Sequence, residues 1–175
     1  MYLISLYFDT TTEKNMRKLM EQAASTSGNT FMLDGNIPPH ITVLAFETLD
    51  EDRAVKLLED IVHNELHAGN IHFASIGSFK GQMLYAEPVL NQYLHQMSVK
   101  LYEVYSELPD IKFSPYYKPF GWLPHMSICK HLDEGQMETA FSKVVKQFVP
   151  CEGVVARIGI AKTNPHRDIK VFGLN

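Results

Sequence analysis

Apolar positions along this chain switch repeatedly between the two-residue period of strands and the three-and-four spacing of helices. Tyr2 to Phe8 is rich in β-formers and stops at Asp9, which predicts a first strand. Thr10 with Glu13 three residues later has the form of a capping box. Met16, Leu19, Met20 and Ala23 then recur at helical spacing until Ser25-Thr26-Ser27-Gly28-Asn29 ends the run. A loop containing Asp34-Gly35-Asn36 leads into Pro38-Pro39, whose fixed φ and missing N–H enforce extended chain, so His40 to Phe46 is expected as the second strand. Asp50 to about Leu66 reads as a helix with Ala54, Leu57, Leu58, Ile61 and Val62 on one stripe. Ile71 to Phe79 and Gln82 to Glu87 read as two strands turning at Lys80-Gly81.

The second half follows the same order. Val89 to Leu108 is expected to be helical, with Leu90, Tyr93, Leu94, Met97, Leu101 and Val104 in register. A loop rich in aromatics and prolines, Pro109 to Pro124, precedes a strand over His125–Lys130. Asp133 and Gln136 mark another helix start, with Met137, Ala140, Phe141, Val144, Val145 and Phe148 as its stripe. Val154 to Ala161 and Ile169 to Phe172 close the chain as strands. Each half therefore reads strand, helix, strand, helix, strand, and the second adds a terminal strand. The order implies an alternating α/β protein of the α+β kind with antiparallel-rich sheets: one domain over 1–175, built as two lobes, about 1–81 and about 82–175, with pseudo-two-fold symmetry, a central cleft and possible exchange of strands between them.

Within this pattern one phrase occurs twice. Pro39-His40-Ile41-Thr42-Val43 matches Pro124-His125-Met126-Ser127-Ile128, the histidines standing 85 positions apart in a chain of 175 residues. Side chains alternate along a strand, so His40 shares a face with Thr42 and His125 shares a face with Ser127, while Ile41, Val43, Met126 and Ile128 face the core. If the two strands lie side by side, two imidazoles and two hydroxyls line one cleft. One neutral imidazole can take a proton from an attacking oxygen, and a second, charged, can give one to a leaving oxygen. Hydroxyls donate to non-bridging phosphate oxygens as charge rearranges. With an unperturbed pKa of about 6.5, histidine suits either part.

Composition narrows the choice of partner. Net charge is −4 and the sequence pI about 6.0. Grip on a long nucleic-acid duplex normally needs a basic face, so such binding is not expected, while a small phosphate ester or the end of an RNA stays open as a ligand. The apolar and charged fractions, 45% and 21%, are those of an ordinary soluble protein; no apolar run approaches a membrane span, and the start MYLISLYFDT lacks a signal peptide's charged region. Two cysteines, Cys129 and Cys151, cannot staple a fold of this size, so a reducing cytoplasm is expected, and the chain is taken to act as a monomer.

The twin H-x-[TS] phrases, half a chain apart in a small alternating α/β protein, resemble the two-histidine (2H) phosphoesterase superfamily, and within it the 2'-5' RNA ligase and cyclic phosphodiesterase branch. The resemblance covers nearly the whole chain, including the proline before each histidine and the hairpin Phe73–Glu87. It implies metal-independent hydrolysis or formation of 2',3'-cyclic or 2'-5' phosphodiesters, with His40 and His125 as acid and base, Thr42 and Ser127 as phosphate binders, and no cofactor. Lys130 stands where the family often closes the second motif with a basic residue. Serine at 127 and lysine at 130 depart from the commoner threonine and arginine, and lysine meets phosphate as a point charge instead of a fork.

Other residues carry weaker signals. Tyr116, Tyr117 and Trp122, in the loop entering the second phrase, could stack on a base or simply bury against the lobe beneath, and Phe31 to Asn36 could form a matching wall. His63 and His67 have the i, i+4 spacing of metal ligands, but a solvated helix face is the commoner outcome. Cys129 is expected on the His125 face as a small apolar residue, and His131 either extends the second motif or faces solvent. His72, His95 and His166 show no partner in the sequence. The same cleft would also serve a non-catalytic binder of phosphorylated RNA ends or nucleotides, and a metal-dependent hydrolase ranks behind both.

Overall fold

The computed structural model describes residues 1–163 and 165–175. Eight strands form one antiparallel sheet: β1 (Tyr2–Phe8), β2 (His40–Glu47), β3 (Gly69–Phe79), β4 (Met83–Pro88), β5 (Lys112–Phe113), β6 (Met126–Lys130), β7 (Cys151–Lys162) and β8 (Arg167–Gly173). Their order is β1-β2-β6-β4-β3-β7-β8, with β5 beside β2. The long β7 pairs β3 through Cys151–Val155 and β1 through Val155–Lys162, so the ladder from β1 round to β7 returns to β1. The helices are α1 (Thr10–Ser27), α2 (Phe31–Asp34), α3 (Glu51–Asn64), α4 (Gln92–Tyr105) and α5 (Glu134–Gln147). The α1–α5 pair covers β6 and β4, while α4 lies on β2 and β3 and α3 on β7 and β8. No described helix is long and apolar enough to cross a membrane.

Local chemistry sets most boundaries. The opening of α1 differs from the expected capping box: Asp9, one residue earlier than Thr10, caps it by accepting from the Thr12 amide at 3.0 Å. An aspartate just outside the first turn offers its carboxylate to an unsatisfied N–H, and its charge suits the positive end of the helix dipole. Gly28, at φ +72°, closes the helix in the left-handed conformation that glycine adopts without strain. The helix start expected at Asp133 and Gln136 takes the form of a capping box, with Asp133 accepting from Gln136 N at 2.8 Å and the Gln136 side chain accepting from Asp133 N at 3.1 Å. The buried stripe of α5 is narrower than its sequence implies. Ala140 and Val144 are buried, whereas Phe141 and Val145 are exposed.

The two phrase-bearing strands share one irregularity. Between β1 and β2 the register steps from Ile4↔Leu44 to Ser5↔Thr42, leaving Val43 as an extra residue. Between β4 and β6 it steps from Leu84↔Cys129 to Tyr85↔Ser127, leaving Ile128 extra. Each bulge therefore falls on the last residue of its phrase. A bulge breaks strict alternation, so two successive side chains take the same side. Val43 with Leu44, and Ile128 with Cys129, are accordingly all fully buried in the core. Cys129 thus belongs to the core and not to the His125 face expected from alternation. Its thiol lies 3.5 Å from Asn29 Oδ1.

Replacing Asp133 with alanine removes the carboxylate that accepts from Gln136 N, keeps the backbone N–H that donates to the Gln136 side chain, and should cost about 1 kcal/mol. Thermal unfolding followed by circular dichroism should show a midpoint lowered by about 2–4 °C, with the native spectrum retained.

Candidate active site

Among the described residues β2 meets β6 at one point, an antiparallel pairing of Ile41 with Met126. In that register Thr42 lies across from His125, and His40 lies across from Ser127. Ile41 and Met126 are fully buried beneath, so the four polar residues share the opposite side. The sequence predicted this grouping.

Both histidines are anchored in the same way. His40 Nδ1 lies 2.7 Å from the Pro38 carbonyl, and His125 Nδ1 lies 2.9 Å from the Leu123 carbonyl. A carbonyl only accepts, so in each ring Nδ1 carries the hydrogen and Nε2 is left to exchange a proton with a ligand. The contact in each case reaches back two residues across a proline. That proline holds the chain extended and turns the preceding carbonyl toward the ring. The repeated Pro-His dipeptide is thus a ring-orienting device.

The two environments are unequal. His40 is buried, and burial pulls its pKa down to about 4. The Pro38 carbonyl opposes this shift, Lys130 and His166 reinforce it, and Asp168 works against it. His125 is half-buried, and its pKa is also lowered, first by burial and then by Lys130 against the upward pull of the Leu123 carbonyl. Lys130 itself is pushed below the usual lysine range by burial. Strict alternation would turn Lys130 away from His125. The bulge at Ile128 restores it to the histidine side, where its charge is felt by both rings. Thr42 and Ser127 are both mostly buried, and the Ser127 hydroxyl makes only a weak contact with the Met83 sulfur at 3.4 Å.

Aromatic rings frame the imidazoles, and they are not the ones the sequence suggested. Phe79 and Tyr85 stack on each other with centroids 4.4 Å apart, and both meet His125 edge-on, at 5.0 and 5.5 Å. Gly77 makes room for this arrangement, since a Cβ there would lie 2.5 Å from the Tyr85 ring. Tyr7, in register with His40, lies 6.1 Å from its ring, and His166 stacks on the same ring at 5.8 Å. Of the two outcomes open to Trp122, the structure shows burial. Its indole N–H donates to the Thr42 carbonyl at 3.0 Å, so it braces β2 from the core instead of offering a face to a base. Tyr117 is half-buried against the core, Tyr116 is exposed, and Phe120 turns toward His95 on α4. Phe31, at the start of the expected wall before His40, packs edge-on against His131.

Tyr7, Phe79, Tyr85, His166 and Asp168 were missed in the sequence because each reaches the site through pairing between distant strands. The i, i+2 spacing of His166 and Asp168 was the one available hint. His63 and His67 are both exposed on the α3 side, and His63 bonds the Glu59 carbonyl of its own helix at 2.8 Å. Among the described residues, no group of three or more His, Cys, Asp or Glu side chains is arranged to hold a metal ion.

Solved structures with the same fold include one described as a phosphoesterase, with TM-score 0.59 and 12% identity over 99% of this chain and 97% of that one. E. coli LigT in complex with 3'-AMP matches with TM-score 0.59 and 11% identity over 99% and 97% of the two chains. LigT with ATP gives the same values. No curated protein matches the chain in sequence. Residues 15–167, which contain both histidine phrases, match the family model of the 2'-5' RNA ligase superfamily, and the chain belongs to that superfamily.

Proposed function

We propose that the chain is a metal-independent phosphodiesterase that opens nucleoside 2',3'-cyclic phosphates or the related 2'-5' linkages at RNA ends, with His40 and His125 as its acid–base pair. The observation that carries this reading is the matched anchoring of the two rings, each with Nδ1–H on a backbone carbonyl and Nε2 unspent. Structural histidines in a core do not need the same tautomer set twice by the same local device.

The proton inventory then assigns roles. His40, with its pKa near 4, is neutral at physiological pH and suits the general base. It removes the proton of an attacking water as the new oxygen–phosphorus bond forms. His125, less deeply buried, gives a proton to the ribose oxygen as the old bond breaks. Thr42, Ser127 and Lys130 hold the non-bridging oxygens, whose negative charge also favours protonation of His125 once substrate is bound. Run backwards, the same steps form the bond. That E. coli LigT is found with 3'-AMP and with ATP supports a nucleotide-sized occupant.

Hydrolysis of a nucleoside 2',3'-cyclic phosphate in the presence of chelator should fall on the order of 10²-fold or more in His40→Ala and, separately, in His125→Ala. Full activity in both variants would sink the assignment. The kcat/KM profile should peak below pH 6.5, since both free-enzyme histidines titrate under their ordinary value. Lys130→Met removes a charge that disfavours both imidazolium forms, so both limbs of that profile should move to higher pH while KM rises about tenfold. A limb that moves to lower pH would contradict the placement of Lys130.

A further inference from the structure

The proposed chemistry uses two histidines, yet a third ring lies against one of them. His166, in the turn before β8, stacks on His40 with centroids 5.8 Å apart and planes 23° from parallel. Its Nε2 is buried and 3.3 Å from Asp168 Oδ1, close enough for attraction but not aligned as a hydrogen bond, and it has no other hydrogen-bond partner among the described residues. Asp168 is fixed in turn by Tyr7, whose hydroxyl donates to the same Oδ1 at 2.6 Å. The His166 ring and the Tyr7 hydroxyl together keep the Asp168 carboxyl below its usual range, so it is charged at neutral pH. Tyr7 is paired to His40 across the β1–β2 ladder. Four side chains, from β1, β2, β8 and the turn preceding β8, thus close a ring: Tyr7, Asp168, His166, His40.

We propose that His166 is a positioning residue for His40, its imidazole stacked on the His40 ring and tethered through Asp168 to Tyr7, so that the set holds the His40 ring in place and governs when it takes a proton. The inference rests on the reading of His40 as an acid–base group. Anchoring at Nδ1 alone leaves the ring free to rock about that bond, and a flat neighbour against its face removes this freedom. The electrostatic part has two opposed arms. A charged His166 beside His40 disfavours a second cation, while the Asp168 carboxylate favours one. Other groups facing His40 are the Lys130 ammonium from β6 and the Tyr7 phenol from β1. Arg157 from β7 sits over the Tyr7 ring at 5.8 Å, but its guanidinium is engaged by Glu13 at 2.7 Å. Burial and the Asp168 contact both hold the Tyr7 phenol protonated through the neutral range, so it serves as a donor and not as a base.

The opposed arms give the test its signature. In substrate-free protein, the His40 titration is followed by NMR in wild type, His166→Phe and Asp168→Asn. His166→Phe keeps a ring against His40, removes the imidazole whose charge works against protonation of His40 and leaves Asp168 facing His40 alone, so the His40 midpoint should rise. Asp168→Asn removes the anion, so the midpoint should fall. Shifts of about half a pH unit each way are expected from charges at this range in a partly solvated site. A structural role for His166 would not give shifts of opposite sign.

The kinetic arm uses the cyclic phosphate assay. His166→Ala should lower kcat about tenfold with KM within twofold, and His166→Phe should recover part of that loss because it restores the stacked ring. If His166→Ala fails to fold, the phenylalanine and asparagine variants still read both arms. An unmoved His40 titration in both of those variants, or shifts of the same sign, overturns the proposal. Absence of turnover in wild type would overturn the reading of the function and leave the titration result to judge His166 by itself.

Discussion

Everything proposed for this protein hangs on the junction of β2 with β6 at Ile41 and Met126. A single antiparallel pairing fixes which residue of one phrase faces which residue of the other. A slip by one position would turn the histidine of one phrase into the core and its apolar residues to the polar side. Such a slip is resisted from below, because Ile41, Val43, Met126 and Ile128 are all buried among the aromatic and aliphatic side chains beneath the sheet. Burying each such side chain contributes about 1.5–3 kcal/mol, far more than the weak polar contacts above could supply. The core therefore sets the register, and the register assembles the site.

Bulges refine what the register begins. One extra residue at Val43 and one at Ile128 let two neighbouring residues in each strand enter the core together. In β6 the consequence is chemical, since the step brings Lys130 back to the histidine side. In β2 the corresponding position is Ala45, which is fully buried and carries no charge. The site is symmetric in its imidazoles and hydroxyls and asymmetric in its cation. The aromatic surroundings differ as well, with Phe79 and Tyr85 around His125 but Tyr7, His166 and Asp168 around His40. These differences separate two histidines whose local sequences are nearly the same.

The loop ahead of the second phrase illustrates how the core competes with the cleft for an aromatic ring. Trp122 could have served as a stacking surface or packed inward, and its ring completes the core while its N–H satisfies the Thr42 carbonyl. An indole carries one donor and a large apolar area, so a buried carbonyl near a gap in the core is an energetically better place for it than a wet cleft. By holding the backbone of Thr42, Trp122 still bears on the site through the strand and not through a ligand. A comparable economy governs Asp9, which outcompetes Thr10 as the cap of α1 because its carboxylate reaches the Thr12 amide and carries charge.

Periodicity along the chain was sufficient for the longer elements, because strand and helix patterns are local: β1, β2, the β3–β4 hairpin and the Asp133 cap of α5 stand where residue spacing put them, whereas the short α2 and β5 lie in segments expected as loops. The twin phrases were legible for the same reason, as i and i+2 positions share a strand face whatever the rest of the fold does. Sequence alone could not bring His166 and Asp168 to His40, since the hairpin of β7 and β8 reaches that ring only because Val155–Lys162 of β7 pairs β1. Nor could it place Lys130, whose side is decided by a bulge that depends on the partner strand. Local propensity names the residues that can do acid–base chemistry, and long-range pairing decides which of them share a cleft, how deeply each is buried and therefore when each holds a proton.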